Sequence, residues 1–226
     1  MTLRTQYILA LKKGFLTLLI VHVIYALLDQ LLSSALDKTL LDTNGSQTFA
    51  LIVFGSFSML LNLGLTTLLS FYSFFLLAQV GGQYSSPFYS FFTQKLESFF
   101  IENLRSWGRI FLYSLCLILP GIRKALQLSM VPLVTLFSEP YQGGEVDALE
   151  ESQKITHGQL LRVMGIFFIF YVIFPLFMSI AFDEYRIFWE TPLSAFLLVV
   201  GELLIALFLN TWLFRFYFKT QISLRN

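Results

Sequence analysis

Four polar side chains stand where the surrounding residues leave them no water. Glu202 lies ten residues into the apolar run 192–214, and Asn62 lies midway along the run 49–79. His22 lies eight residues into 14–34, and Asp29 follows it by seven, nearly two helical turns, and so shares its face. An ionisable group at mid-bilayer costs about 2.5–3.5 kcal/mol, so each needs a partner or a purpose. A carboxylate, an imidazole and a carboxamide at one depth offer a path for a proton or a polar solute. The same groups hydrogen-bonded to one another only tie helices together, at about 0.6 kcal/mol per bond. Both readings stand for Glu202 with Asn62 and His22. Asp29 lies closer to the far side, where Arg123 and Lys124 are expected to meet it beside Pro120-Gly121.

Other chemistries find no constellation. There is no Walker-type Gly-rich loop, no His-Glu-x-x-His and no Gly-x-Ser-x-Gly elbow. His22 and His157 are the two histidines, and they fall in separate elements, so His157 reads as part of a turn and no metal site is assigned. The lone cysteine, Cys116, reads as a small buried hydrophobe. A net charge of +1 supplies no basic field for nucleic acid. No catalytic residue or cofactor is expected; an intramembrane lipid enzyme built from scattered residues is the weakest alternative.

The elements that would carry these groups belong to a bilayer. Of 226 residues, 56% are hydrophobic and only 13% charged, with mean hydropathy +0.72. Soluble domains carry about 25% charge. The expectation is an all-α, polytopic helical integral membrane protein forming one domain over 1–226, with about six membrane segments. These are 14–34, 49–71 (its apolar run continuing to 79), 106–120, 122–138, 161–181 and 192–214. Gly81-Gly82 ends the second, and Pro120-Gly121 breaks 106–138 into two pieces of about 22 and 25 Å, short for a core of about 30 Å. A hairpin, a re-entrant loop and one kinked passage all remain open for that stretch. Residues 86–104 read as an amphipathic helix, with Ser86 as cap, Pro87 at the first position and Phe88, Phe91, Phe92, Leu96, Phe99, Phe100 and Leu104 on one face. Its apolar face meets either the membrane surface or the protein's own spans. Residues 144–155 read as a short acidic helix, and Thr156 with Gln159 as a capping box for the next span. Phe214 to Asn226 reads as a short tail. Trp107, Tyr185, Trp189 and Trp212 fall near the ends of spans, as interfacial anchors do.

Lys and Arg are retained on the cytoplasmic side. With 106–138 as a hairpin, eleven of the fifteen fall on one side, and Lys38, Arg123, Lys124 and Arg186 on the other. A single kinked passage removes the bias. The hairpin is therefore expected, with both termini cytoplasmic. The basic N-terminus before 14–34 resembles a signal peptide, but 14–34 reads as an uncleaved first span.

Residues 119–165 carry a resemblance. Leu119-Pro120-Gly121-Ile122 is followed by Ser129-Met130-Val131-Pro132-Leu133-Val134 and Glu139. Then come Ala148-Leu149-Glu150-Glu151-Ser152, Thr156-His157-Gly158 and Leu161-Arg162-Val163-Met164-Gly165. This resembles the YciC-like bacterial inner-membrane proteins, a group related to the membrane domain of some glycerophosphodiester phosphodiesterases. The residues matching its signature include Pro132, Glu139, Ser152, Thr156, Gly158, Arg162 and Gly165; Glu151 departs from it, standing where the group more often has a basic residue. The resemblance implies a multi-pass protein of the bacterial cytoplasmic membrane with amphipathic cytoplasmic helices, and no established activity. The expected role is a non-enzymatic, membrane-organising or partner-binding component, its partners being membrane lipids and another membrane protein or a second copy. The alternative is a small transporter with a midplane polar site at Glu202, Asn62 and His22.

Overall fold

The computed structural model describes residues 2–41, 48–181 and 192–225. Every element among them is helical. Four stretches are long and apolar enough to cross a membrane: Leu3–Leu32 within α1 (Leu3–Leu41), Ile52–Val80 within α2 (Thr48–Val80), Leu160–Phe177, and Ala195–Ile222 within α10 (Pro192–Arg225). The third runs through α8 (Leu160–Phe168), a π-helical turn over Ile169–Ile173, and α9 (Phe174–Ala181). Pro175 explains the π turn: it lacks an N–H and crowds the carbonyl of Tyr171, so the ladder widens by one residue instead of breaking.

Between α2 and α8 lies a layer of short helices: α3 (Phe88–Cys116), α4 (Ile118–Gln127), α5 (Val131–Phe137), α6 (Glu139–Gln142) and α7 (Ala148–Thr156). The chain enters this layer through a glycine cap. Gly82 has φ +71, the Gln83 N–H reaches the Ala78 carbonyl at 2.9 Å and the Gly82 N–H reaches Gln79, the paired bonds that close a helix C-terminus.

The core is concentrated at this end of the bundle. Phe71 lies 5.0 Å, ring to ring, from both Phe91 and Phe99, and Phe137 joins Phe91 to Phe214 and Phe218. Met130, Val131, Leu133, Val134, Leu149 and Ile155 are buried within it. Along the candidate spans, by contrast, only 11%, 0%, 6% and 44% of the apolar window is buried, as expected of helices whose outer faces meet lipid. Tyr7 Oη donates to the Leu204 carbonyl at 3.1 Å and ties α1 to α10. Gly14 lets Leu76 of α2 seat directly against α1.

Several expectations change. Residues 86–104 and 106–116 form one helix, α3, whose N-terminal half packs on α2 and α5 through Phe91 and Phe99 rather than on a membrane surface. Its cap is Pro87, one residue later than Ser86. The second predicted hairpin piece, 122–138, is divided between α4 and α5, and neither it nor 106–120 is among the four span-length helices. The break falls at Leu117 (φ −164, ψ 145), three residues before Pro120. A proline ring crowds the carbonyl four residues upstream, here Cys116, so α3 must end there. Pro120 then occupies the first turn of α4, where an N–H has no helical partner to lose. Residues 215–225, expected as part of a short tail, are the last turns of α10. Thr156 closes α7 instead of capping α8, whose cap position is Gln159. The loop expected over 35–48 is shorter, because α1 runs on to Leu41 and α2 begins at Thr48; residues 42–47, the loop expected at 183–186, Tyr185 and Trp189 lie outside the described residues.

Gly121 serves close approach rather than flexibility: a Cβ there would stand 2.9 Å from the Ser114 Cα. Gly121→Ala is expected to push α4 off α3 and to cost about 1–3 kcal/mol, as overpacking does. Thermal unfolding of the detergent-purified protein, with Gly165→Ala at an open position as the control, checks this.

Candidate functional site

The intramembrane polar residues separate into two places. His22 is buried, and its Nε2 lies 3.7 Å from Glu202 Oε2. That is ion-pair range but too long for a hydrogen bond, and neither ring nitrogen has a hydrogen-bond partner among the described residues. Glu202 is on the outside of the pair, its side chain 47% exposed. Asn62 lies within α2, with its side chain outside the described set. Asp29 does not meet Arg123 or Lys124. It accepts a hydrogen bond from Ser58 Oγ of α2 at 3.3 Å.

The two cations sit at the opposite end, in the α3–α7 layer. Lys124 Nζ donates to Gln153 Oε1 of α7 at 3.0 Å and lies 5.3 Å over the Tyr113 ring. Burial lowers its pKa, and the nearby Arg109 and Arg123 charges add to the effect. The reason for the misplacement is the α3–α4 turn, which folds back within this layer and never reaches the far side.

The residues of the family-like pattern form a structural knot. Ser152 Oγ donates to the Gln127 carbonyl at 2.8 Å and accepts from the Met130 N–H at 3.2 Å. Thr156 Oγ1 reaches the same Gln127 carbonyl at 3.3 Å. One α7 face thus satisfies the backbone groups left open where α4 ends and α5 begins. Pro132 sits in the first turn of α5, Glu139 begins α6, and Gly158 takes the left-handed conformation (φ +76) that turns the chain into α8. Glu151 accepts from Ser138 Oγ at 2.6 Å and from Gln221 Nε2 of α10 at 2.7 Å, so the acidic departure links the layer to the last helix. Gly165 is in an open part of α8.

Beyond the knot, α3 and α4 project as a two-helix arm. Leu115, Leu117, Ile118 and Leu119 at its tip are 67%, 68%, 76% and 79% exposed. Cys116 is exposed there, not buried as the sequence suggested. Trp107, Arg109, Arg123 and Lys124 lie at its base. The chain matches no family model, no curated protein and no solved structure.

Two groups were not singled out from sequence. Asp147 caps α7 through the Leu149 N–H at 2.8 Å and pairs with Arg105 of α3 at 2.6 Å; Asp147 followed by Glu150 three residues on was the available signal. Arg215 and Lys219 converge with Arg162 on a cavity; their i, i+4 spacing would have shown a shared face had the tail been read as helix.

Burial raises the Asp147 pKa, but the Leu149 N–H and the Arg105 guanidinium outweigh it and hold the carboxyl below its usual value. A depressed carboxylate stabilises the fold above its unfolded pKa, about 4, and that contribution is lost as pH falls through the lower folded value. Thermal melts of wild type are therefore expected to lose stability below about pH 4, and Asp147→Asn to flatten that part of the profile and lower the neutral-pH melting temperature.

Proposed function

We propose that this chain is a multi-pass, non-enzymatic protein of YciC-like type in a bacterial cytoplasmic membrane, and that it organises the bilayer through the α3–α4 arm. The observation that carries the reading is the exposed apolar tip, Leu115 to Leu119, framed by Arg109, Arg123 and Lys124. Arg109 stands about 11 Å and Arg123 about 8 Å of helix from the turn at Leu117, at 1.5 Å per residue. Cations held at headgroup level would thus sink the tip about 5–10 Å into the acyl boundary, the depth of an interfacial helix and less than one leaflet. The arm would act as a wedge in one leaflet, with a partner membrane protein or a second copy as its alternative occupant.

Orientation follows from charge. Pocket-lining residues from α1, the α2 turn, α8 and α10 meet at one end, and α3–α7 join them there. Thirteen of the fifteen Lys and Arg lie on the elements at that end, including Arg123 and Lys124. Lys38 lies in the last turns of α1, at the other end. Such a bias supports a cytoplasmic layer and cytoplasmic termini.

The His22–Glu202 approach favours a second reading, a small permeation pathway. In it the half-exposed Glu202 would carry a proton or hold a solute.

Two measurements test these statements. A nitroxide on Cys116, the sole cysteine, is expected to be more accessible to oxygen than to a polar nickel chelate in liposomes, and Leu117→Glu/Leu119→Glu to accumulate in cells yet fail to restore a deletion strain. An aqueous Cys116 in liposomes removes the wedge; proton or solute flux abolished by Glu202→Ala would install the second reading instead. Separately, Asp147→Cys in a Cys116→Ser background is expected to react with an impermeant maleimide from the cytoplasmic side only, and labelling from the outside reverses the orientation.

A further inference from the structure

At the end of the bundle that holds both termini, α1, α8, α10 and the turn after α2 enclose a cavity of about 620 Å³. Its lining includes three cations, Arg162, Arg215 and Lys219, and no Asp or Glu. None of the three makes an ion pair among the described residues. Arg215 Nη1 is buried without a hydrogen-bond partner, and so is Gln6 Oε1 on the same wall.

This arrangement is costly as it stands. A buried donor left unpaired forfeits about 1–3 kcal/mol, more when charged. Like charges converging on one open cavity add a smaller, partly screened repulsion. An anion with several acceptor oxygens relieves both, because a guanidinium fork and an ammonium together match a phosphate. The unpaired Gln6 oxygen adds one acceptor, which a hydroxyl on the same ligand would fill.

The rest of the wall indicates where that phosphate comes from. Leu3, Trp212, Phe216 and Ile222 line the cavity beside the cations. Trp212 stacks on Phe216 at 5.2 Å, and Ile222 is 63% exposed. Arg162 stands in the first turn of a span-length helix, and Leu161 next to it is 78% exposed. A cationic cup opening onto apolar helix faces at the end of the spans suits a molecule that is charged at one end and oily at the other.

We propose that this cavity is a headgroup site for an anionic phospholipid. Arg215 takes the phosphate from within, Arg162 and Lys219 close over it from α8 and α10, and the acyl chains run along the outer faces of those helices. The site differs from the arm: the arm's cations snorkel to any headgroup, whereas this cavity selects charge. It also stands apart from the wedge reading, since none of its lining residues lies on α3 or α4.

The test is a native mass-spectrometric titration of the full chain in detergent with phosphatidylglycerol or phosphatidylcholine of identical acyl chains. Wild type is expected to retain phosphatidylglycerol about tenfold more tightly, the equivalent of one charge-assisted contact. Arg162→Gln/Lys219→Gln alters two exposed side chains, so the fold is kept, and it should lower phosphatidylglycerol binding about tenfold while leaving phosphatidylcholine unchanged. Arg215→Gln, with helicity checked by circular dichroism, reads the buried contact, and a drop in either variant supports the site. Equal binding of the two lipids to wild type overturns the proposal, as does wild-type phosphatidylglycerol binding in both variants. Displacement of the lipid by millimolar inorganic phosphate, with phosphate itself retained, would overturn the lipid assignment in favour of a soluble phosphate.

Discussion

Apolar side chains gain free energy by packing together where the alternative is water; where the alternative is an acyl chain, the gain nearly vanishes. The architecture of this protein follows that difference. Along α1, α2 and the α8–α9 stretch the side chains point outward, and Leu16, Leu60 and Phe177 are among the most exposed residues. The helices there hold together through single polar bonds such as Asp29 with Ser58. At the other end the same chain builds a dense core of Phe71, Phe91, Phe99, Met130, Leu149 and Tyr217. That is where the polar segments between α2 and α8 require shielding.

Backbone satisfaction organises this layer. Four short helices in succession leave many unpaired N–H and C=O groups, and a buried one is expensive. Ser152 answers two of them at once, Thr156 shares the Gln127 carbonyl with it, and Asp147 answers the first N–H groups of α7. The pattern that made residues 119–165 look familiar is therefore largely a record of this joinery. Small and hydroxyl-bearing residues recur because α7 must lie against the α4–α5 junction, with Ser152 and Thr156 fully buried. Residues left over from that work, the arm tip and the three cavity cations, are those with something still to touch.

Two surfaces of unlike character result. The arm is apolar at its end and cationic at its base, a shape for a leaflet. The cavity is cationic within and apolar at its margin, a shape for one acidic amphiphile. Both lie at the end of the bundle that carries the α3–α7 layer. The His22–Glu202 approach stands apart at mid-span, where two ionisable groups meet among apolar helices.

Residue type and run length alone were enough for the helical class and for the positions of four helices long and apolar enough to cross a membrane, because hydropathy over about 20 residues is a local property. The Gly81-Gly82 stop was equally legible, since only glycine takes that left-handed turn without strain. The position of the α3–α4 break was not: Pro120 announced it, yet the bend falls where the proline ring strikes the preceding turn. Nor was the fate of Asp29, Arg123 and Lys124, which depended on how far the arm folds back. Arg162, Arg215 and Gln6 come from three helices distant in sequence, and only the docking of those helices brings them onto one wall. Pairing of that kind is decided by which faces meet and at what height, and no single stretch of the chain carries that information.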